Sequence, residues 1–263
     1  MRKGAMKLND GAAVKEQYRT AEKLDIRTAI HSRYSTNRQG FGNWIFSHYR
    51  IEPGMSVLEL GCGTGQMWVG QERLMDTCGR LILSDFSEGM LQKARETLGE
   101  RGRVGFQQID IQRIPFEDNT FDVVIANMML YHVPDIPKGL GEVRRVLKEG
   151  GRFYAATYGE KGMMEYLCGL FREYGAEAVG NYLFTIQNGE TQLSPFFDKV
   201  ERFLYEDALE VTDLGDMADY ITTLEGMSGL GRLPRETVLA VLAKHSVDGV
   251  LRLPKEYGMF AAQ

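Results

Sequence analysis

The chain has 263 residues, with 31 Lys and Arg against 36 Asp and Glu and a formal net charge of −5. That acidic balance argues against a phosphate-backbone partner, which needs a concentrated basic surface, so no nucleic acid is expected. A hydrophobic share of 43% and a charged share of 25% are those of an ordinary globular protein and exclude a disordered or collagen-like chain.

The opening MRKGAMKLND has no apolar run and reads as a loose leader rather than a secretory signal. From Val14 to Arg33 the apolar positions Val14, Leu24, Ile26 and Ile30 alternate with charges as in one or two amphipathic helices,. FGNWIFSHYRI then reads as a second short helix, making residues 1–50 a helical segment ahead of the first strand. Pro53 and Gly54 mark a turn, and MSVLEL is a buried strand that runs straight into glycines,. QMWVGQERLM has helical spacing, RLILSDF is a strand ending in an acid, and SEGMLQKARETLGE is a helix with Ser87 as N-cap,. VGFQQID and FDVVIANMML are strands, IPKGLGEVRRVLKEGG is a helix closed by glycine, and GRFYAATYG is a fifth strand,. Strands alternating with helices in this rhythm predict an α/β fold, a doubly wound Rossmann-like parallel sheet with right-handed crossovers.

Beyond Gly159 the rhythm changes. GMMEYLCGLFREYG is a helix, VERFLYEDALEVT an extended pair or one long bent strand, and DMADYITTL and PRETVLAVLAKHS are helices. LRLPKEYGMFAA is expected to return as a closing strand. No run of eighteen apolar residues occurs in the sequence, so no membrane span is expected. Cys62, Cys78 and Cys168 are odd in number and widely spaced, which disfavours a disulfide framework and a zinc site and suits a cytoplasmic protein. No metal is expected.

The chemistry concentrates at LELGCGTG, Leu58 to Gly65. A glycine loop between strand and helix lets backbone N–H groups approach a ligand at the carboxyl edge of a sheet. A Walker loop needs Lys-Ser or Lys-Thr after its last glycine, whereas Gln66 and Met67 follow here,. A dinucleotide loop prefers G-x-G-x-x-G, whereas this one is Gly61-x-Gly63-x-Gly65, and Glu59 just before it opposes a pyrophosphate while complementing a cation,. At the end of the second strand Asp85 is placed to accept hydrogen bonds from both hydroxyls of a ribose. At the end of the third, Asp110 beside Ile111 suits an adenine amino group and one ring face; Phe86 and Met90 are either the other face or plain core. The ligand implied is an adenosine without phosphates and with positive charge.

These stretches resemble the class I S-adenosylmethionine-dependent methyltransferases, especially the small-molecule branch that includes the ubiquinone and menaquinone methyltransferases. The resemblance rests on VLELGCGTG, LILSDFS, FQQIDIQRIPFEDNTFDVVIANMMLYHVPD and EVRRVLKEGGRF, in that order, and covers about Ile51 to Thr157. It implies S-adenosylmethionine as cofactor, S-adenosylhomocysteine as product, and methyl transfer to a small organic acceptor. It places Gly61, Cys62, Gly63 and Gly65 along the methionine and ribose, Glu59 at the amino end, Asp85 at the ribose, Asp110 at the adenine, and Asn127 beside the reacting methyl. It also implies a seven-stranded sheet whose last strand, within 248–263, is antiparallel, with a core over 51–212 and a helical insertion over 213–247 that covers the substrate.

In-line methyl transfer obliges no dedicated catalytic residue unless the acceptor must lose a proton. His132 is the base candidate by position, with Tyr131 beside it; a loop-fixing histidine and a packing tyrosine are the plainer alternatives. In RYSTNRQGFGNW, Arg33 is a candidate partner for the cofactor carboxylate, and Tyr34, Asn37 and Trp44 are candidates to close over it, or else to form a solvated helix end. Met163, Met164, Tyr166, Phe171 and Tyr174 form a soft stripe facing either an acceptor or a subdomain core. Two other functions stay open at this point: a nicotinamide-dependent oxidoreductase, and a protein that binds S-adenosylmethionine without turnover.

Overall fold

A computed structural model describes residues 21–177, 181–224 and 230–263. The expected leader and the Val14 end of the first helix lie outside the described residues. Two helices come first, α1 (Ala21–Tyr34) and α2 (Phe41–His48). The core follows as β1 (Ser56–Leu60), α3 (Glu72–Thr77), β2 (Arg80–Asp85), α4 (Glu88–Leu98), β3 (Val104–Gln108), β4 (Phe121–Asn127), α5 (Ile136–Val146) and β5 (Leu147–Tyr158). The remainder is α6 (Met163–Leu170), α7 (Gly189–Leu193), β6 (Val200–Val211), α8 (Leu214–Thr222), α9 (Arg235–Lys244) and β7 (Leu251–Ala262).

The strands form one seven-stranded sheet in the order β3-β2-β1-β4-β5-β7-β6. Strands β1 to β5 run parallel and β7 lies antiparallel between β5 and β6, as the resemblance implies. Along β4, Val124 and Ala126 join one buried cluster with Leu58, Ile82, Leu140 and Phe153, while Val123 and Ile125 join another with Val57, Leu81, Trp68 and Tyr154. Period-two alternation with both sets buried is what a strand covered on both faces requires. The strand order reverses between β1 and β4, which opens a crevice at their carboxyl ends,.

Two expectations change in detail, and a third resolves to one of its alternatives. The helix expected over QMWVGQERLM is a 3-10 turn, Gln66–Trp68, and then the short α3. Gly70, at φ 86, breaks the run, because its left-handed backbone cannot continue a right-handed helix. Helix α5 starts on Asp135, whose carboxylate accepts from the Lys138 N–H, and stops at Val146 rather than at the glycines. Gly150, at φ 71, instead lies inside the early part of β5. Within VERFLYEDALEVT, Val200–Val211 is one strand of twelve residues, paired throughout with β7 from Val200↔Ala262 to Val211↔Leu251.

That long ladder outruns the rest of the sheet, since β5 pairs with β7 only from Tyr257 to Ala262. The projecting half carries Leu209, Val211, Leu251 and Leu253 into a separate apolar cluster with α1, α6, α8 and α9. Met163 and Phe171 of the soft stripe are buried there, so most of that stripe is subdomain core. Among the described residues no helix is long and apolar enough to cross a membrane.

Candidate active site

A cavity of about 690 Å³ opens at the carboxyl ends of the central strands. Its floor is the glycine loop. Gly61 has φ 75, and a Cβ there would stand 2.8 Å from the Met129 side chain. Gly65, at φ 73, would place a Cβ 2.9 Å from Leu98 of α4. Both positions therefore need glycine twice over, for backbone conformation and for close approach. The Cys62 N–H donates to the Ser84 carbonyl at 2.8 Å, tying the loop to β2.

Asp85, at the end of β2, accepts from the Gly63 N–H at 2.9 Å through Oδ2 and from the Ser87 N–H at 2.8 Å through Oδ1. Two backbone donors fix the carboxylate and leave lone pairs for a ligand, since an ionised carboxyl has about four acceptor sites. Burial raises the Asp85 carboxyl above the usual range, against the lowering effect of those N–H groups. Asp110 folds back on its own loop, accepting from the Gln112 N–H at 2.9 Å. It lines the cavity together with Ile111, Phe86 and Met90; Ile111 and Met90 are buried, whereas Phe86 is exposed.

Glu59 is placed differently from its expected role. It is 2% exposed and is not among the cavity-lining residues. Oε2 accepts from Trp68 Nε1 at 2.6 Å and Oε1 from Asn127 Nδ2 at 3.2 Å. Burial pushes its carboxyl up to about 7, with the hydrogen bonds from Trp68 and Asn127 opposing that. Its protein contact with the site is through Asn127, whose Nδ2 also donates to the Tyr49 hydroxyl at 2.7 Å. With both donors used, Asn127 Oδ1 is buried, has no hydrogen-bond partner among the described residues, and belongs to a side chain that lines the cavity. Such an acceptor costs about 1–3 kcal/mol if nothing pairs with it. Next to it, Met128 holds φ 53, an uncommon conformation for a non-glycine residue and one that gathers at ligand sites.

The RYSTNRQGFGNW candidates fall away from the cavity. The Arg33 guanidinium pairs with Asp216 of α8, and the Tyr34 hydroxyl donates to the same carboxylate; neither lines the cavity. Asn37 donates its N–H to Asp207 and its Nδ2 to the Glu206 carbonyl, binding β6. Trp44 is buried against Phe41 and Tyr205. An acid on a distant element captured each polar group, which local sequence does not reveal. Tyr131 and His132 do line the cavity, with their rings 4.6 Å apart and Tyr131 also 4.6 Å from Tyr158.

The opposite wall was not anticipated. Arg27 and His31 of α1, Phe41 of α2, and Lys255 and Tyr257 of β7 close the cavity. Lys255 stands directly across the ladder from Asp207 and forms an ion pair with it, the two side chains being 4% and 0% exposed. Asp207 also accepts from Ser35, Thr36 and Asn37. The trace of this wall in the sequence is slight, a lysine among the charged residues Arg252, Lys255 and Glu256 of the closing strand.

Residues 58–155 match the family model described as a methyltransferase domain. A methyltransferase domain thus occupies this part of the chain, in keeping with the class I S-adenosylmethionine-dependent methyltransferases that its motifs resemble. It is 29% identical, over 188 residues, to the ubiquinone/menaquinone biosynthesis C-methyltransferase of Escherichia coli, covering 69% of this chain and 74% of that one. Among solved structures it resembles a [4+2]-cyclase, SpnF, with a TM-score of 0.60 and 17% identity over 96% of each chain. It also resembles a phosphoethanolamine N-methyltransferase from Haemonchus contortus, solved with S-adenosylhomocysteine, with a TM-score of 0.59 and 19% identity over 98% of this chain and 60% of that one. Such likenesses establish the fold, and a cyclase among them shows that fold does not choose the reaction. The residues present fit S-adenosylmethionine: a glycine floor, a fixed carboxylate at the end of β2, and an unpaired buried acceptor on Asn127.

Proposed function

We propose that this methyltransferase acts on a small organic acceptor. What carries the reading is the continuity of the cavity, which runs from the acids at the ends of β2 and β3 to the wall made by α1, α2 and β7. Asp85 would hold the ribose hydroxyls, and Asp110 with Ile111, Phe86 and Met90 the adenine. Gly61, Cys62 and Gly63 would lie along the methionine, while Gly65, which does not line the cavity and packs against α4, would hold the loop's turn; Asn127 Oδ1 would accept from the ammonium group. Glu59 acts as a positioning residue, holding the Asn127 amide.

The cofactor, when bound, supplies an electrophilic methyl group. The chain's own contribution is alignment and exclusion of water, effects able to supply about 7–11 kcal/mol of a barrier. Tyr131, Met128 and Met129 border the space beside Asn127 and would shape the acceptor's entry. Residues 51–212 with 248–263 serve as the catalytic core, and 213–247 as a cap whose helices brace α1. Thr223 supports that reading, because its hydroxyl and carbonyl accept from Arg27 of the cavity wall.

Calorimetry with S-adenosylmethionine and S-adenosylhomocysteine tests the proposal. Binding is expected below about millimolar, and Asp85→Ala should weaken it by about 1–3 kcal/mol. No binding of either ligand overturns the reading; unchanged affinity in Asp85→Ala moves the ribose contact elsewhere.

A further inference from the structure

The wall formed by α1 and β7 carries two groups that the cofactor seat leaves unused. His31 lines the cavity with its Nδ1 buried and without a hydrogen-bond partner among the described residues. Lys255 lines the same cavity. Its ammonium has three N–H donors; one goes to Asp207, a second points to Ser35 Oγ at 3.4 Å, and the third has no hydrogen-bond partner among the described residues. The Tyr257 ring packs edge-on to His31, with centroids 6.1 Å apart, and lies 5.1 Å from the Lys255 ammonium. An unmet acceptor and a fixed donor therefore share one wall, with Phe41 and Tyr257 supplying apolar surface around them.

We infer that His31 is the proton acceptor, and Lys255 the oxygen-holding group, for an acceptor methylated at a hydroxyl on an apolar or aromatic body. This rests on the methyl-transfer reading above and deepens it. A hydroxyl is the group that donates to Nδ1 while accepting from Nζ. A protonated amine is repelled by Lys255 and by Arg27 one turn earlier on α1, and a carboxylate has no proton to give His31. In the step, the O–H proton passes to His31 Nδ1 and the freed oxygen pair forms the bond to the methyl carbon. The S–CH3 bond breaks with its pair left on sulfur, and His31 then returns its proton to solvent.

The charged and titratable groups facing His31 are Arg27 from α1, Lys255 and Tyr257 from β7, and Asp207 from β6. Burial first, and the Lys255 charge second, hold the His31 imidazole down to about 4, against the pull of Asp207. It is thus neutral at ordinary pH. A proton on Nε2 leaves Nδ1 free to accept.

The test uses the full chain saturated with S-adenosylhomocysteine and 4-nitrophenol as the probe, whose anion is read by its visible absorbance. The bound probe is expected to ionise about one pH unit below the free probe, a tenfold shift towards the anion. Lys255→Arg should retain that shift and Lys255→Met abolish it. His31→Phe should weaken binding of the neutral probe about fivefold or more, the loss of roughly one hydrogen bond, with S-adenosylhomocysteine affinity and thermal midpoint unchanged. Benzylamine should not compete. Absence of probe binding at millimolar concentration, an unshifted ionisation, full retention of affinity in His31→Phe, or effective competition by benzylamine overturns the inference. Failure of the unmodified chain to bind S-adenosylhomocysteine overturns the parent reading instead.

Discussion

The two ends of the cavity are built in opposite ways. At the end beside β2 and β3 the acids are fixed by backbone N–H groups of their own or the adjoining loop: Asp85 by those of Gly63 and Ser87, and Asp110 by that of Gln112. At the far end the groups are fixed by partners 48 to 172 residues apart in the chain, as when Asp207 of β6 collects Lys255 from β7 and Ser35, Thr36 and Asn37 from the stretch after α1. The first end is rigid because of local backbone geometry. The second is rigid only if the tertiary fold is intact, so stability and acceptor recognition are coupled there and separable at the other end.

The largest expected effect breaks the long-range end. Asp207→Ala leaves the buried Lys255 ammonium unpaired and should cost about 3–5 kcal/mol in denaturant unfolding, with little change in S-adenosylhomocysteine affinity for the folded fraction. A loss below 1 kcal/mol would show the pair to be dispensable.

Glu59 gives a pH signature from beneath the loop. Its carboxyl sits near 7 in the fold against an ordinary value of 4.5, so between these values the folded chain binds more protons than the unfolded one and stability falls as pH rises. In Glu59→Gln that loss disappears. The stability of the variant relative to the parent should therefore increase by about 3 kcal/mol between pH 4 and pH 8 without ligand; a flat difference would place the Glu59 carboxyl in its ordinary range.

Gly61→Ala tests the local end. A positive φ and a clash with Met129 should cost about 1–3 kcal/mol, read as a lower thermal midpoint together with weaker S-adenosylhomocysteine binding. The smallest effect is expected for Arg33→Ala. An exposed ion pair contributes little, and S-adenosylhomocysteine affinity should stay unchanged; a clear drop would return Arg33 to the cofactor carboxylate.

The same contrast explains what was legible in the sequence. The parallel core, the glycine loop and the acids at strand ends are written in contiguous stretches, where apolar runs, glycine spacing and terminal carboxylates carry the information. Asp85 and Asp110, picked out at strand ends in the sequence, both line the cavity. Glu59 was misplaced because its position in the chain says nothing of Trp68 and Asn127 reaching it first. Arg33 and Tyr34 were misplaced for a similar reason, since their acid, Asp216, lies on a helix whose docking no local pattern announces. His31 and Lys255 are not legible together because they meet only when α1 packs on the paired strands β6 and β7.

The overhang of that ladder has an evolutionary consequence. Lys255 and Asp207 sit just beyond the last β5 pairing at Tyr257, where the β6–β7 ladder leaves the common sheet. Substitutions in the overhang and in α1 that keep the buried Lys255–Asp207 pair leave the loop between β1 and α3 and the ends of β2 and β3 untouched. A lineage with this architecture can thus exchange the molecule it modifies while inheriting its methyl donor intact.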